Sequence, residues 1–461
     1  MSDIFSMDEY DVTPLVDGML RLNYRLLDEP EDPDPCEPSL STPPAQPIPV
    51  VVDSPEDASD TVPDLPQHGV PMKVRRRSSV SSAYEVELGE SYVSSSLKTS
   101  HVSGYRPKLS DFEPITVLGQ GSYGKVLLVR ELATGKLFAQ KQLHKASLII
   151  NDNEVHQTNY QRTLNEKSIL EKVAHPNIVK LYYAFQDHNK VYLILEYLDG
   201  GELFHHLAQQ KFMSEKDASY YIGQIALALR YLHNSLKVIY RDLKPENCML
   251  NADGNLVLTD FGLSKVSSRD ETRHSMIGTA QYMAPEVILG KEYDFSVDWW
   301  SLGCVAFDML TGSPPFTGHT NEKIMDKVVH SKKYLKFPFY LSSDAKDLLR
   351  KLLQPDPAKR LDVDAEFEKF KGHRFFRHLD WRDIEKPQEQ ETPILPPIMP
   401  IITDPILAEN FDEEFTGMSF TPQDAKGQFL TGKSPGDILH VNGFTYTNES
   451  YLMTALRERA N

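Results

Sequence analysis

The chain has 461 residues, 25% charged and 40% apolar, with a net charge of −17. A chain this acidic argues against nucleic-acid binding by electrostatics, and no apolar run approaches the ~18 residues of a membrane span. Cys36, Cys248 and Cys304 are too few and too scattered for a disulfide framework or a zinc site, so the expected setting is reducing, the cytoplasm or the nucleus.

Residues 1–104 carry 19 acidic and 7 basic side chains, a net of −12, and are rich in Pro and Ser. They lack sustained periodicity and cannot bury enough apolar surface to offset ordering entropy, so a disordered acidic extension is expected. The first residues show neither a basic nor an apolar signal region. Two islands interrupt this segment. Met1–Leu27 mixes acids with Phe5, Met7, Tyr10, Leu15, Met19 and Leu20, which suits either a short partner-bound helix or a mixed tail. Lys73 to Val80 sets Arg75, Arg76 and Arg77 before Ser78 and Ser79. That is a site for a basophilic kinase or a plain basic patch.

Phe112 to Leu118 reads as a strand and is followed by Gly119-Gln120-Gly121-Ser122-Tyr123-Gly124-Lys125-Val126. A lone GxGxxG also opens dinucleotide-binding folds, but there a helix follows. Here Val126 to Val129 is another apolar strand, giving a glycine-rich hairpin that can lower its backbone onto phosphates. Leu118 to Val126 are therefore the candidate nucleotide cover. Lys141 lies on a further strand, 17 residues past Gly124, and is the candidate for the α- and β-phosphates. Glu166, in a helical stretch, is its candidate carboxylate partner.

Downstream stands Tyr240-Arg241-Asp242-Leu243-Lys244-Pro245-Glu246-Asn247, then Asp260-Phe261-Gly262 and Ala284-Pro285-Glu286. Phosphoryl transfer needs a held metal, neutralised charge and a positioned nucleophile. Asp242 is placed to take the proton of a Ser or Thr hydroxyl. Asn247 and Asp260 supply hard oxygen ligands suited to Mg²⁺, and Lys244 adds a cation beside the moving group.

These motifs resemble the protein kinases. Tyr240 at the head of the loop, Asp298-Trp299-Trp300-Ser301-Leu302-Gly303 and Gly312-Ser313-Pro314-Pro315-Phe316 resemble the AGC group, in particular Ser/Thr kinases of the ribosomal-protein S6 kinase family. The kinase resemblance spans residues 112–376, and an AGC-type tail covers 377–461. It implies an α+β, bilobal fold: a small antiparallel β lobe with a regulatory helix, and a large helical lobe. It further implies ATP and Mg²⁺ as cofactors, with adenine held by the backbone of Glu196 and Leu198 beside the gatekeeper Leu195. Glu202, Glu246 and Asp308 are implied to face arginines of Arg-x-Arg-x-x-Ser/Thr substrates, and Glu286 to pair with Arg360.

Three phosphorylation sites are implied. Ser275 aligns with the activation-segment site of an upstream kinase and would pair with Arg241. Thr421 is the turn-motif site, with Ser434 as a rival. Thr445 belongs to Val441-Asn442-Gly443-Phe444-Thr445-Tyr446, which resembles the hydrophobic motif of the AGC tail. Departures stand at Ile277, where Cys is usual, at Ala280-Gln281, where Pro-Glu is usual, and at Val441. Val441 replaces an aromatic, so weak docking of the motif is expected. Phe5-Ser6-Met7-Asp8-Glu9 partly resembles the signal by which S6 kinases engage the TOR complex, and departs from it at Glu9. A monomer acting on ribosomal protein S6 or related targets in nutrient signalling is the resulting expectation. A Sch9-like or SGK-like branch, or a kinase-fold scaffold, is the alternative.

Overall fold

The computed structural model describes residues 106–121, 124–145, 154–266, 278–385, 395–419, 441 and 443–460. The extension 1–104 with its two islands lies outside them.

Period-2 alternation builds the first layer. β1 (Phe112–Gly121), β2 (Gly124–Glu131) and β3 (Leu137–His144) form an antiparallel meander. Leu127, Val129 and Phe138 enter one apolar cluster, while Val126, Leu128 and Ala139 enter another, as opposite faces of a pleated sheet require. Helix α1 (Glu154–Leu170) comes next, and β4 (Leu181–Gln186) and β5 (Lys190–Glu196) complete the order β1-β2-β3-β5-β4.

The second lobe is helical. β6 (Gly201–Glu202) leads into α2 (Leu203–Gln210), and Ser214 caps α3 (Glu215–Tyr231) by accepting the Asp217 N–H. Short strands β7 (Val238–Ile239), β8 (Cys248–Leu250), β9 (Leu256–Leu258) and β10 (Lys265–Val266) hold the loops between them. The helix α4 (Ser296–Thr311) is buried along its whole middle, Val297 to Leu310, as expected of a helix with little polar face. Trp300 stacks on Phe316 there, with centroids 6.1 Å apart. α5 (Ser343–Leu352) packs beside α4, its N-terminus capped by Ser342.

The tail returns to the small lobe. A Cβ on Gly201 would lie 2.1 Å from the Asn410 carbonyl oxygen, so the tail passes where only glycine leaves room. Further on, β11 (Tyr446–Thr447) adds antiparallel to β4, pairing Tyr446 with Ala184 and Thr447 with Tyr183. This covers the sheet's open edge. The chain then forms α6 (Glu449–Ala460), an element that the sequence pattern does not announce. No helix among the described residues is long and apolar enough to cross a membrane.

Candidate active site

The glycine hairpin closes with Gly121 paired to Gly124. A Cβ on Gly124 would stand 1.8 Å from the Gln142 carbonyl oxygen, so this glycine lets β2 lie close on β3. A Cβ on Gly119 would meet nothing within 4 Å, which leaves open space at that point of the hairpin. Ser122 and Tyr123 lie outside the described residues.

Lys141 sits at mid-strand in β3, paired with Val126 and Leu193. Its Nζ lies 2.7 Å from Glu166 Oε1 and 3.1 Å from Asp260 Oδ1. Burial disfavours the charged amine, but the two carboxylates outweigh it and raise the Lys141 pKa. Burial raises the Glu166 pKa, and Lys141 lowers that of Asp260. Phe261 is fully buried, 5.1 Å from the Tyr240 ring, and its backbone N–H donates to Glu166. Thus α1 stands inward, with Glu166 held by the Lys141 amine and by the Phe261 N–H.

The loop from Tyr240 to Asn247 is held from beneath. Asp298 of α4 accepts the backbone N–H of Tyr240 at 2.7 Å and of Arg241 at 2.8 Å. Arg241 and Asp260 have φ of 64° and 54°, a strained region for side-chain-bearing residues that clusters at functional sites. His233 contacts Asp298 Oδ2 at 2.8 Å and Asp364 Oδ2 at 2.9 Å. Burial opposes its charge, but the two carboxylates push its pKa up to about 9.

Asp242 is buried. Its Oδ2 accepts from Asn247 Nδ2 at 2.9 Å and pairs with Lys244 Nζ at 3.1 Å. Its Oδ1 is buried without a hydrogen-bond partner among the described residues. Burial raises the pKa, against Lys244 and Asn247. One oxygen is therefore fixed and the other is left for a hydroxyl. Asn247 spends its amide nitrogen on Asp242, which leaves its amide oxygen as a hard donor. Asp260 takes Lys141 and the Gly262 N–H on Oδ1, which leaves Oδ2. No group of three His, Cys, Asp or Glu gathers for a metal among the described residues. One Asp and one Asn completed by substrate phosphates is the usual magnesium arrangement, and these residues fit it.

Of the three carboxylates assigned to substrate arginines, Glu246 lies near enough to both Glu202 and Asp308 to raise their pKa values. Glu202 is exposed, and its pKa is pushed up to about 7 by partial withdrawal from water and by the like charges of Glu246 and tail Asp412. Asp308 is 7% exposed, and the Tyr282 hydroxyl donates to it at 2.9 Å. Burial pushes its pKa up to about 6. Glu286 and Arg360 form the expected pair, bidentate at 2.6 and 2.9 Å and buried. At the hinge, Leu198 is buried and Tyr197 stacks on tail Phe411 at 5.9 Å. Phe411 also joins the apolar cluster of Leu118, Val126 and Ala139.

The hydrophobic motif, in which Val441 replaces an aromatic, is seated on the small lobe. Val441 is 2% exposed and Phe444 fully buried. Gln186 of β4 clasps Val441 through both backbone groups, at 2.7 and 2.9 Å, and Lys167 of α1 donates to the Gly443 carbonyl at 3.1 Å. Thr445 is exposed. Ser275, Thr421 and Ser434 lie outside the described residues. Sequence reasoning missed Gln186, Lys167, His233 and Asp412. Nothing in their spacing marks them.

Residues 112–376 match the protein kinase domain family. The chain belongs to the protein kinases. It is 43% identical over 400 residues to the serine/threonine-protein kinase YPK3 of Saccharomyces cerevisiae, covering 75% of this chain and 76% of that one. It is 41% identical over 362 residues to the human ribosomal protein S6 kinase alpha-2, covering 77% of this chain but 47% of the relative. Against the Danio rerio ribosomal protein S6 kinase alpha-6 the identity is 44% over 323 residues, with 41% of the relative covered. The chain thus spans less than half the length of those two vertebrate relatives. Within the family it is an S6-kinase-like Ser/Thr kinase of the AGC type.

Proposed function

We propose that this kinase transfers the γ-phosphoryl group of MgATP to Ser or Thr in Arg-x-Arg-x-x-Ser/Thr-like segments. Ribosomal protein S6 or related targets would be the substrates, and the kinase would act as a cytoplasmic monomer, with access to the nucleus, under TOR nutrient signalling. The observation that carries the chemistry is the Oδ1 of Asp242, buried and without a hydrogen-bond partner among the described residues. A substrate hydroxyl donates to that oxygen while its own oxygen attacks the γ-phosphorus in line with the departing ADP. As the bond to ADP breaks, the hydroxyl proton passes to Asp242, whose raised pKa favours accepting it. Lys141 orients the α- and β-phosphates, and Lys244 offsets charge on the moving group. Magnesium held by Asn247 and Asp260 would neutralise the phosphate oxygens.

Glu202 and Glu246 support the preference for arginine, and Ser275 would accept phosphate from an upstream kinase. Exposed Thr445 supports accessibility to a TOR-type kinase. The test is transfer to an Arg-x-Arg-x-x-Ser peptide by purified protein. Asp242→Asn and Lys141→Arg should each lower kcat by at least ~10²-fold. Near-normal transfer by Asp242→Asn would remove the catalytic reading. In cells, Thr445 phosphorylation that ignores nutrient status would remove the S6-kinase branch and favour a Sch9-like or SGK-like one.

A further inference from the structure

The hydrophobic motif is seated although its first aromatic is replaced by Val441. The segment after the motif accounts for this. Asn448 donates its N–H to the Tyr182 carbonyl at 2.8 Å, and its side-chain oxygen accepts the Tyr451 N–H at 3.1 Å, starting α6. Tyr451 then stands edge-on to Tyr182, Phe138 and Tyr183, with centroids 4.9, 5.8 and 6.0 Å away. Its hydroxyl donates at 2.7 Å to Glu131 Oε2, and Glu131, 2% exposed, also accepts from Tyr183 at 2.9 Å. Lys136 Nζ lies 4.7 Å from the centroids of both Tyr451 and Tyr182. Leu452 and Ala455 are buried beside it. One side chain therefore ties the tail to β2, β3 and β4, on the sheet face opposite Ala139.

We propose that Tyr451 is a positioning residue for phosphoryl transfer. It anchors the hydrophobic motif against the small lobe without a phosphate on Thr445, and so keeps Glu166 on Lys141. The contact path is short. Gly443 accepts from Lys167 of α1, the neighbour of Glu166. Tyr451 lies four positions past Thr447, so an anchored ring holds the motif at an effective concentration in the millimolar range. Its three ring contacts add aromatic packing at a second place on the small lobe, the cluster of Phe138, Tyr182 and Tyr183.

This inference rests on the kinase reading, and its test separates the two. Full-length protein, uniformly phosphorylated on the activation segment, is prepared in a Thr445→Ala background with Tyr451, Tyr451→Ala or Tyr451→Phe. Tyr451→Ala should lower kcat at least about fivefold with the peptide KM unchanged, whereas Tyr451→Phe keeps the rings and at least half the rate. Amide hydrogen exchange at Gly443 to Thr447 should rise in Tyr451→Ala and stay slow in Tyr451→Phe. A synthetic peptide of residues 441–460, added in excess, should restore the rate of Tyr451→Ala, which a damaged sheet would not allow. An unchanged kcat in Tyr451→Ala, unchanged exchange, or no rescue by the peptide each overturns the proposal. No transfer by the wild-type protein defeats the kinase reading, whereas transfer by the wild type with none in the Thr445→Ala background overturns the proposal.

Discussion

Two carboxylate environments at this site make opposite use of burial. At Glu202 the pKa rises to about 7 because the group is partly withdrawn from water and faces Glu246 and Asp412. It therefore carries full charge only above neutrality, and an approaching guanidinium should pull its pKa back down. The KM for an arginine-containing peptide should fall as pH rises from about 6 to 8, and Glu202→Gln should flatten that dependence. A pH-independent KM in the parent enzyme would remove Glu202 from substrate recognition. At His233 the carboxylates surround a cation instead. Its folded pKa, about 9, lies above the ordinary 6.5. The resulting stability is fully present below pH 6.5 and lost as pH rises through 9. Melting temperature should therefore drop between about pH 7 and 9.5, and Asp364→Asn, which removes one carboxylate, should make that drop smaller. Since Asp298 also holds the Tyr240 and Arg241 N–H groups, the charge supports the loop that carries Asp242.

Among the elements, the pairing of β2 with β3 depends on one close approach. Gly124→Ala would force a Cβ into the Gln142 carbonyl, and overpacking of that kind costs about 1–3 kcal/mol. A lowered melting temperature with a raised KM for ATP is the expected result, and a variant indistinguishable from the parent would show the strands able to part freely. Strands β1 to β3, Lys141, Glu166 and the Asp242 loop were legible in the sequence because glycines, alternation and ordered charged residues each leave a local mark. The regulatory contacts were not. Gln186 and Lys167 act through backbone groups of a distant segment, and any residue with a suitable donor reads alike in a sequence. Nothing in the sequence marks Tyr451, because its partners Glu131, Phe138 and Tyr182 are more than 260 positions away. The bond from the Tyr282 hydroxyl to Asp308 is likewise a long-range contact that the sequence does not mark.

For the molecule as a whole, the net charge of −17 and the local group of Glu202, Glu246 and Asp412 both favour basic substrates, at different ranges. Screening separates them, since the Debye length is about 30 Å at 0.01 M salt and about 8 Å at 0.15 M. At low salt the entire acidic chain should draw in an arginine-rich peptide and raise its association rate. At about 0.15 M only carboxylates that touch the peptide should still count. The kcat/KM for an Arg-x-Arg-x-x-Ser peptide should therefore fall steeply between about 0.01 and 0.15 M salt, then flatten. Replacing its arginines by alanine should abolish the steep part. Glu202→Gln should leave the steep part in place and lower the plateau, by the order of a charge-assisted hydrogen bond, about 1.5–3 kcal/mol. Equal rates for the two peptides at about 0.15 M salt would mean that net charge steers encounters while the site itself does not select arginine, and the basophilic assignment would fall with the transfer chemistry intact.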